Sequence, residues 1–285
     1  MIGTLPTGAA ANTNARVYKR WAMQTYILAT TLLMASASVL LTLYLVPKLN
    51  WLFQICERIK RGKDRQFRQL FRQMQFLHAL QQELNLPKSL PPTGGVAASP
   101  DFLKSLADHV LGSKPKLAVE CGSGISTIVV ARCLQLNGSG HVFSLEHLEQ
   151  FAMQTRDELE RQDLSQWATV IHSPLRPYDF AGRAFQWYPM DKLPDEAIDL
   201  LIVDGPPASV GQSPRYPAGP LLFPRLSSQA AIFIDDAGRP EELSVIEKWR
   251  KQFTHLSFDT NAEDFQKGMC LAQVTHTKEP CSSGR

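Results

Sequence analysis

The stretch Val119-Glu-Cys-Gly-Ser-Gly-Ile-Ser-Thr127 sets an acidic residue and a glycine turn between an apolar strand and an apolar helix. Gly122 and Gly124 allow a sharp turn and leave room for a ligand against the main chain. A dinucleotide site wants a further glycine three residues after Gly124, where the helix packs beside a pyrophosphate, and Thr127 stands there instead. The departure points to a smaller ligand that carries a ribose but no phosphate. Glu146 ends a second apolar run about twenty residues beyond the turn, where a carboxylate can accept both ribose hydroxyls. Two more acidic sites close apolar runs: Asp204 in Val-Asp-Gly-Pro-Pro, and Asp235 and Asp236 in Ile-Phe-Ile-Asp-Asp-Ala. In a parallel sheet such strand ends are neighbours, and converging carboxylates are hard oxygen ligands of the kind that suits Mg²⁺.

The elements that would position these residues alternate. Residues 99–111 read as a leading helix capped by Ser99, followed by a strand at 117–119 and a helix at 128–136. Strands are expected at 141–145, 168–172, 198–203 and 230–234, with helices at 148–164 and 241–253 between or after them. Residues 256–258 and 269–274 would close the sheet as a hairpin. The runs at 198–203 and 230–234 are almost wholly apolar, as for central strands covered on both faces. This order predicts an α/β domain with a doubly wound, Rossmann-like, mostly parallel seven-stranded sheet and its ligand at the strand C-termini.

Glycine turn, helix, strand and terminal acid together resemble the class I S-adenosylmethionine-dependent methyltransferases, over about residues 100–274. Carried over by position, the resemblance implies that Glu120, Gly122, Gly124 and Thr127 bind the cofactor around its methionine part. Glu146 would hold the ribose, and His172 and Ser173 would lie beside the adenine. Asp204, Asp235 and Asp236 are placed similarly to the acids of metal-dependent O-methyltransferases. That implies Mg²⁺ chelated by two adjacent hydroxyls of a small-molecule or glycan acceptor, with Asp204 and Asp236 in catalytic roles. On the residues alone, Asp204 equally orients cofactor or substrate, and Asp235 or Asp236 caps the helix after Pro240 or pairs with Arg239. No lysine or second aspartate closely follows Asp204, so Asp204, Asp236 and His147 all remain open as the general base. Arg215 in the 205–220 loop suits either an anionic acceptor group or the bare surface, and Trp187 and Tyr188 suit either an acceptor ring or the core.

Competing classes leave different marks. A non-catalytic cofactor-binding scaffold at the membrane would share the turn but show no turnover. An NAD or nucleotide-sugar enzyme is disfavoured by Thr127, and base-amine methylation by the lack of an Asn/Asp-Pro-Pro-Tyr/Phe motif. A net charge of +3 is too small to argue for nucleic acid. Five scattered cysteines without a Cys-x-x-Cys pair fit reduced thiols and offer no zinc site, with Cys121 a packing residue.

Ahead of the catalytic region, residues 21–47 contain no charge, and residues 26–46 suffice to cross roughly 30 Å of hydrocarbon as a helix. Trp21, Tyr26, Tyr44 and Trp51 fall near the ends, where aromatic rings favour the interface. A cleaved signal peptide would have a shorter apolar run and a small-residue cleavage site. The heavier basic flank, from Lys48 through Arg72, should stay inside. The short tail 1–20 then lies outside and the catalytic domain is cytoplasmic, on a single-pass inner membrane of bacterial type. Residues 48–86 read as a basic, then amphipathic, helix whose 67–84 stripe either packs on the domain or pairs with a second copy. A linker at 87–98, a catalytic domain at 99–276 and a tail at 277–285 complete the expected organisation.

Overall fold

The computed structural model describes residues 9–86, 88–95, 97–180, 182–261 and 264–275. The expected tail 277–285 lies outside the described residues, as do the first eight residues of the N-terminal tail. The chain divides into two compact units, Met1–Arg68 and Gln69–Arg285.

Helix α1, Ala9–Leu84, supplies the first unit up to Arg68 and continues into the second, and it is the one helix among the described residues long and apolar enough to cross a membrane. Its uncharged stretch ends at Pro47, and the expected spanning and juxtamembrane helices run through that residue as one helix. A proline removes one intrahelical hydrogen bond, and the good helix formers on either side carry the remainder.

The second unit is a seven-stranded sheet flanked by helices on both faces. Its strands are β1 (Leu117–Cys121), β2 (His141–Glu146), β3 (Ala168–His172), β6 (Ile198–Val203), β7 (Leu226–Asp235), β8 (Leu256–Asn261) and β9 (Met269–Val274). They run in the order β3-β2-β1-β6-β7-β9-β8, parallel except where β9 pairs antiparallel with β7 and β8. The expected doubly wound sheet and closing hairpin are therefore present. Side chains alternate between the two faces. Ala118, Leu200, Ile202, Ala231 and Phe233 join one core, and Val119, Leu201, Val203, Ile232 and Ile234 join the other. Helices α2 (Pro100–Ser113), α3 (Ile125–Asn137) and α4 (Glu149–Arg161) cover the first face, while α5 (Ala218–Leu222) and α6 (Pro240–Gln252) cover the second.

Sequence reading missed a second sheet. β4 (Arg176–Phe180) and β5 (Arg183–Trp187) form an antiparallel hairpin between β3 and β6. Its alternation is masked by the charged and polar residues on its open face. Trp187 and Tyr188 at its end are fully buried, which makes them packing residues rather than a platform for an acceptor.

Ser99 does stand at the start of α2, but its side chain caps no backbone N–H. The buried Asp101 carboxylate takes that role, accepting from the Phe102 N–H at 2.9 Å and the Gln266 N–H at 2.7 Å. It also accepts from the Ser99 hydroxyl at 2.5 Å and from Gln73 Nε2 at 2.7 Å. Two carboxylate oxygens satisfy several donors where one hydroxyl satisfies one. Within the second unit, Gln73 thus ties the last turns of α1 to the start of α2, and Leu80 and Leu84 sit fully buried in the core. Leu84→Ala is expected to destabilise the domain by about 2–5 kcal/mol, through lost burial and a residual cavity. Denaturant unfolding of the detergent-solubilised full chain reads this directly, and an unshifted midpoint would remove that segment from the core.

Candidate active site

The register brings the chemistry together. Cys121, Leu145, Val203 and Ile234 are paired level with one another across β2, β1, β6 and β7. The next residue on each strand is Gly122, Glu146, Asp204 or Asp235, so all four open onto the same edge of the sheet. The Gly122 N–H donates to the Leu145 carbonyl at 2.9 Å, and the Asp204 N–H donates to the Cys121 carbonyl at 3.1 Å.

Gly122 has φ +108°, a conformation that side-chain-bearing residues rarely adopt, and its α-carbon faces the Asp204–Gly205 backbone. Gly205 matters for space instead. A β-carbon there would meet the Tyr188 hydroxyl at 2.6 Å and the Cys121 carbonyl at 3.2 Å. The two loops can approach this closely because Gly205 lacks a side chain, whereas a β-carbon at Gly122 would meet nothing nearer than 3.6 Å. Cys121 is buried between them, and burial pushes its thiol upward, out of nucleophile range.

Glu120 and Thr127 differ from their expected roles. Both are wholly buried. The Glu120 carboxylate accepts from Thr127 Oγ1 at 2.5 Å, from Ser144 Oγ at 2.7 Å and from the Ser126 hydroxyl. Thr127 Oγ1 in turn accepts from the Gly124 N–H at 3.1 Å. With no exposed oxygen to offer a ligand, Glu120 acts on the turn, fixing it from behind through three hydroxyls. Burial raises its pKa above the ordinary 4.5, against the lowering effect of the hydroxyls. A carboxyl raised on folding adds stability that is complete below the ordinary value of 4.5 and is lost as pH rises through the folded-state value. The stability difference between wild type and Glu120→Gln should therefore grow in favour of wild type as pH falls. Denaturation curves at a series of pH values check this, and a pH-independent difference would show that Glu120 does not titrate with folding.

Glu146 ends β2 at this edge and is buried. It accepts from the Leu148 N–H at 2.9 Å and Ser123 Oγ at 3.3 Å, and His147 Nδ1 lies 3.0 Å away. Burial works against its charge, but these donors outweigh it and hold its pKa below the ordinary value. His172 ends β3 opposite Glu146. Ser173 follows, and its N–H donates to the Glu146 carbonyl at 2.7 Å. Ser173 is buried, so its contribution at this edge is through the backbone.

The second half of the site is an acid cluster. Asp204, Asp235 and Asp236 each offer a carboxylate oxygen within 4.8 Å of the others. Asp236 has φ +61°, a left-handed conformation that aspartate tolerates, and it turns back toward the cluster. It pairs with Arg239 at 2.9 Å, one of the alternatives open from sequence. What the sequence did not reveal is Arg215 at the centre. Its guanidinium is 3 % exposed and lies 2.8 Å from Asp236 Oδ2, 3.4 Å from Asp204 Oδ1 and 3.6 Å from Glu242 Oε1. It also donates to the Asp235 carbonyl at 2.8 Å. Lys267 Nζ approaches Asp235 Oδ2 at 3.9 Å. Neither Glu242 nor Lys267 carries a motif that would mark it. Burial raises the pKa of Asp204, with Asp235 adding to the effect and Arg215 opposing it, and burial raises Asp235 likewise.

The expected Mg²⁺ would have to compete with a cation already placed among these carboxylates. The ion requires carboxylate oxygens at about 2.1 Å in near-octahedral geometry. Here an oxygen of Asp204 and an oxygen of Asp236 point at one guanidinium nitrogen.

The family described as "Methyltransferase domain" matches residues 119–237. No curated protein is significantly similar in sequence. Among solved structures, an O-methyltransferase from Bacillus cereus in complex with SAH superposes with TM-score 0.48 at 18% identity, covering 70% of this chain and 91% of its own. The O-methyltransferase TomG from Streptomyces achromogenes, involved in tomaymycin synthesis and solved with SAM, gives 0.48 at 15% identity, with 70% and 90% covered. SAH-bound PaMTH1 from Podospora anserina gives 0.49 at 13% identity, with 70% and 88% covered. The matched residues run from the glycine turn through the acid cluster and lie on a seven-stranded sheet with one antiparallel strand inserted near its edge, so this part of the chain is similar to methyltransferase domains.

Proposed function

We propose that the domain transfers a methyl group from S-adenosylmethionine to a hydroxyl of a small-molecule or glycan acceptor. The observation that carries this reading is the common level of Gly122, Glu146 and Asp204 at one sheet edge. A ribose on Glu146 and a methionine part against the Gly122 turn would direct the sulfonium toward Asp204. S-adenosylmethionine supplies an electrophilic methyl carbon. The acceptor oxygen attacks that carbon, the carbon–sulfur bond breaks with its electron pair going to sulfur, and the hydroxyl proton passes to a base.

Asp204 is the base this arrangement favours. Its side chain is 19 % exposed against 5 % for Asp236, so it alone of the two reaches an acceptor. Asp236 is held between Arg215 and Arg239, and His147 is engaged with Glu146. A carboxylate with a raised pKa is also a stronger proton acceptor than an ordinary one.

The N-terminal span is read as a single-pass anchor of an inner membrane of bacterial type, with the catalytic domain on the cytoplasmic side. Its length, its composition and the basic flank after it support this. A lipid-linked acceptor fits such an anchor. Leu80 and Leu84 are committed to the core, so a second copy would have to use Leu70, Phe71 and Met74, which stay exposed.

Calorimetry on the detergent-solubilised full chain with S-adenosylhomocysteine, followed by labelled-methyl transfer to a panel of hydroxylated acceptors, tests the reading. Absence of binding would overturn it. Binding without turnover on any acceptor would favour a cofactor-binding scaffold at the membrane.

A further inference from the structure

The acid cluster has a resident cation. Arg215 approaches carboxylate oxygens of Asp204, Asp236 and Glu242 and is 3 % exposed. Its backbone is held as firmly as its side chain. The Arg215 carbonyl accepts from the Ala218 N–H at 3.1 Å, and the neighbouring Tyr216 carbonyl accepts from Trp249 Nε1 at 3.0 Å. Two residues earlier, the Ser213 N–H donates to the Glu241 carboxylate at 2.5 Å on the first turn of α6. A guanidinium stays charged at any working pH, and its planar fork suits several carboxylates at once. With Lys267 beside Asp235 and Arg239 beside Asp236, three cations face the carboxylates of Asp204, Asp235, Asp236 and Glu242, and of these Arg215 alone is buried.

We propose that Arg215 is the permanent counter-ion of this cluster, taking the place of a divalent metal and positioning Asp204 toward the acceptor. Its catalytic part rests on the methyl-transfer reading above, whereas its charge part does not. The acceptor then needs one hydroxyl near Asp204 and not an adjacent pair to chelate an ion, which widens the class to mono-hydroxylated compounds.

The test uses metal-stripped full chain in detergent, titrated with Mn²⁺ alone and followed by the free-ion paramagnetic resonance signal. Wild type is expected to leave Mn²⁺ free. Arg215→Met uncovers three carboxylates and should take up about one equivalent, at least about tenfold more tightly than wild type. Adding Asp236→Asn should abolish that gain. Arg215→Gln, which keeps a donor for the Asp235 carbonyl, should behave as Arg215→Met does and covers the case in which the methionine variant fails to fold. Stoichiometric uptake by wild type that Asp236→Asn removes would overturn the proposal, as would a folded Arg215→Met or Arg215→Gln that binds no better than wild type. Mn²⁺ uptake is read without cofactor or acceptor, so failure of the methyl-transfer reading shows in calorimetry and leaves this result intact. In the activity arm, wild-type methyl transfer is expected to be indifferent to a chelator, and loss of turnover on chelation would also overturn it.

Discussion

Asp204→Asn should lower kcat by about 10²–10⁴-fold and leave affinity for S-adenosylhomocysteine unchanged. The substitution keeps the shape and the hydrogen bond from the Asp204 N–H to Cys121, and it removes the proton acceptor together with one of the charges facing Arg215. It also relieves the repulsion from Asp235 that helps raise the Asp204 pKa, which offsets the attraction lost to Arg215, so the variant should still fold. pH adds a second readout. Burial and Asp235 lift the Asp204 pKa above the ordinary 3.8, and the base must be ionised to act. Wild-type kcat/KM should therefore rise as pH passes through that lifted value, and the rising limb should vanish in Asp204→Asn. A variant that retains both the rate and the limb would move the base to another residue.

The second large effect is on the cofactor. Glu146→Ala is expected to weaken binding of S-adenosylhomocysteine by at least about 100-fold, because hydrogen bonds from two hydroxyls to a charged group contribute roughly 1.5–3 kcal/mol each. The donors that lower its pKa keep the carboxylate ionised and ready to accept. The fold should survive, since the carboxylate sits at the sheet edge rather than within either core. The Leu148 N–H and Ser123 hydroxyl would lose a partner next to the crevice, where water can replace it. Calorimetry decides the matter, and unchanged affinity in a folded variant would take the ribose away from Glu146. Paired with Asp204→Asn, this substitution separates the two halves of the site, one lost in binding and the other in turnover.

The two halves were not equally legible. Local pattern sufficed for the sheet. Apolar runs at β1, β6 and β7, glycines at Gly122 and Gly124, and acids at the strand ends are each determined by nearest neighbours. They also imply their own relative placement, because parallel strands align their C-termini. Residues 198–203 and 269–274 carried that pattern with correct limits, whereas β7 begins four residues before the apolar run that announced it. Leu226 to Gln229 are more polar and half-covered at most, so hydrophobicity alone could not claim them.

What only the tertiary structure decided is how charge is balanced. Glu120 looked like a ligand residue because an acid beside a glycine turn invites one. Packing instead surrounds it with Ser126, Thr127 and Ser144, drawn from a helix and a neighbouring strand. Arg215 carried no signal beyond its place in a glycine- and proline-rich loop, yet that loop folds inward and sets a guanidinium among acids from the turn after β7 and from α6. A sequence displays which groups are charged. Their partners lie from three to more than twenty residues away and are chosen by where the backbone brings them, because a buried charge must be compensated in space and not along the chain.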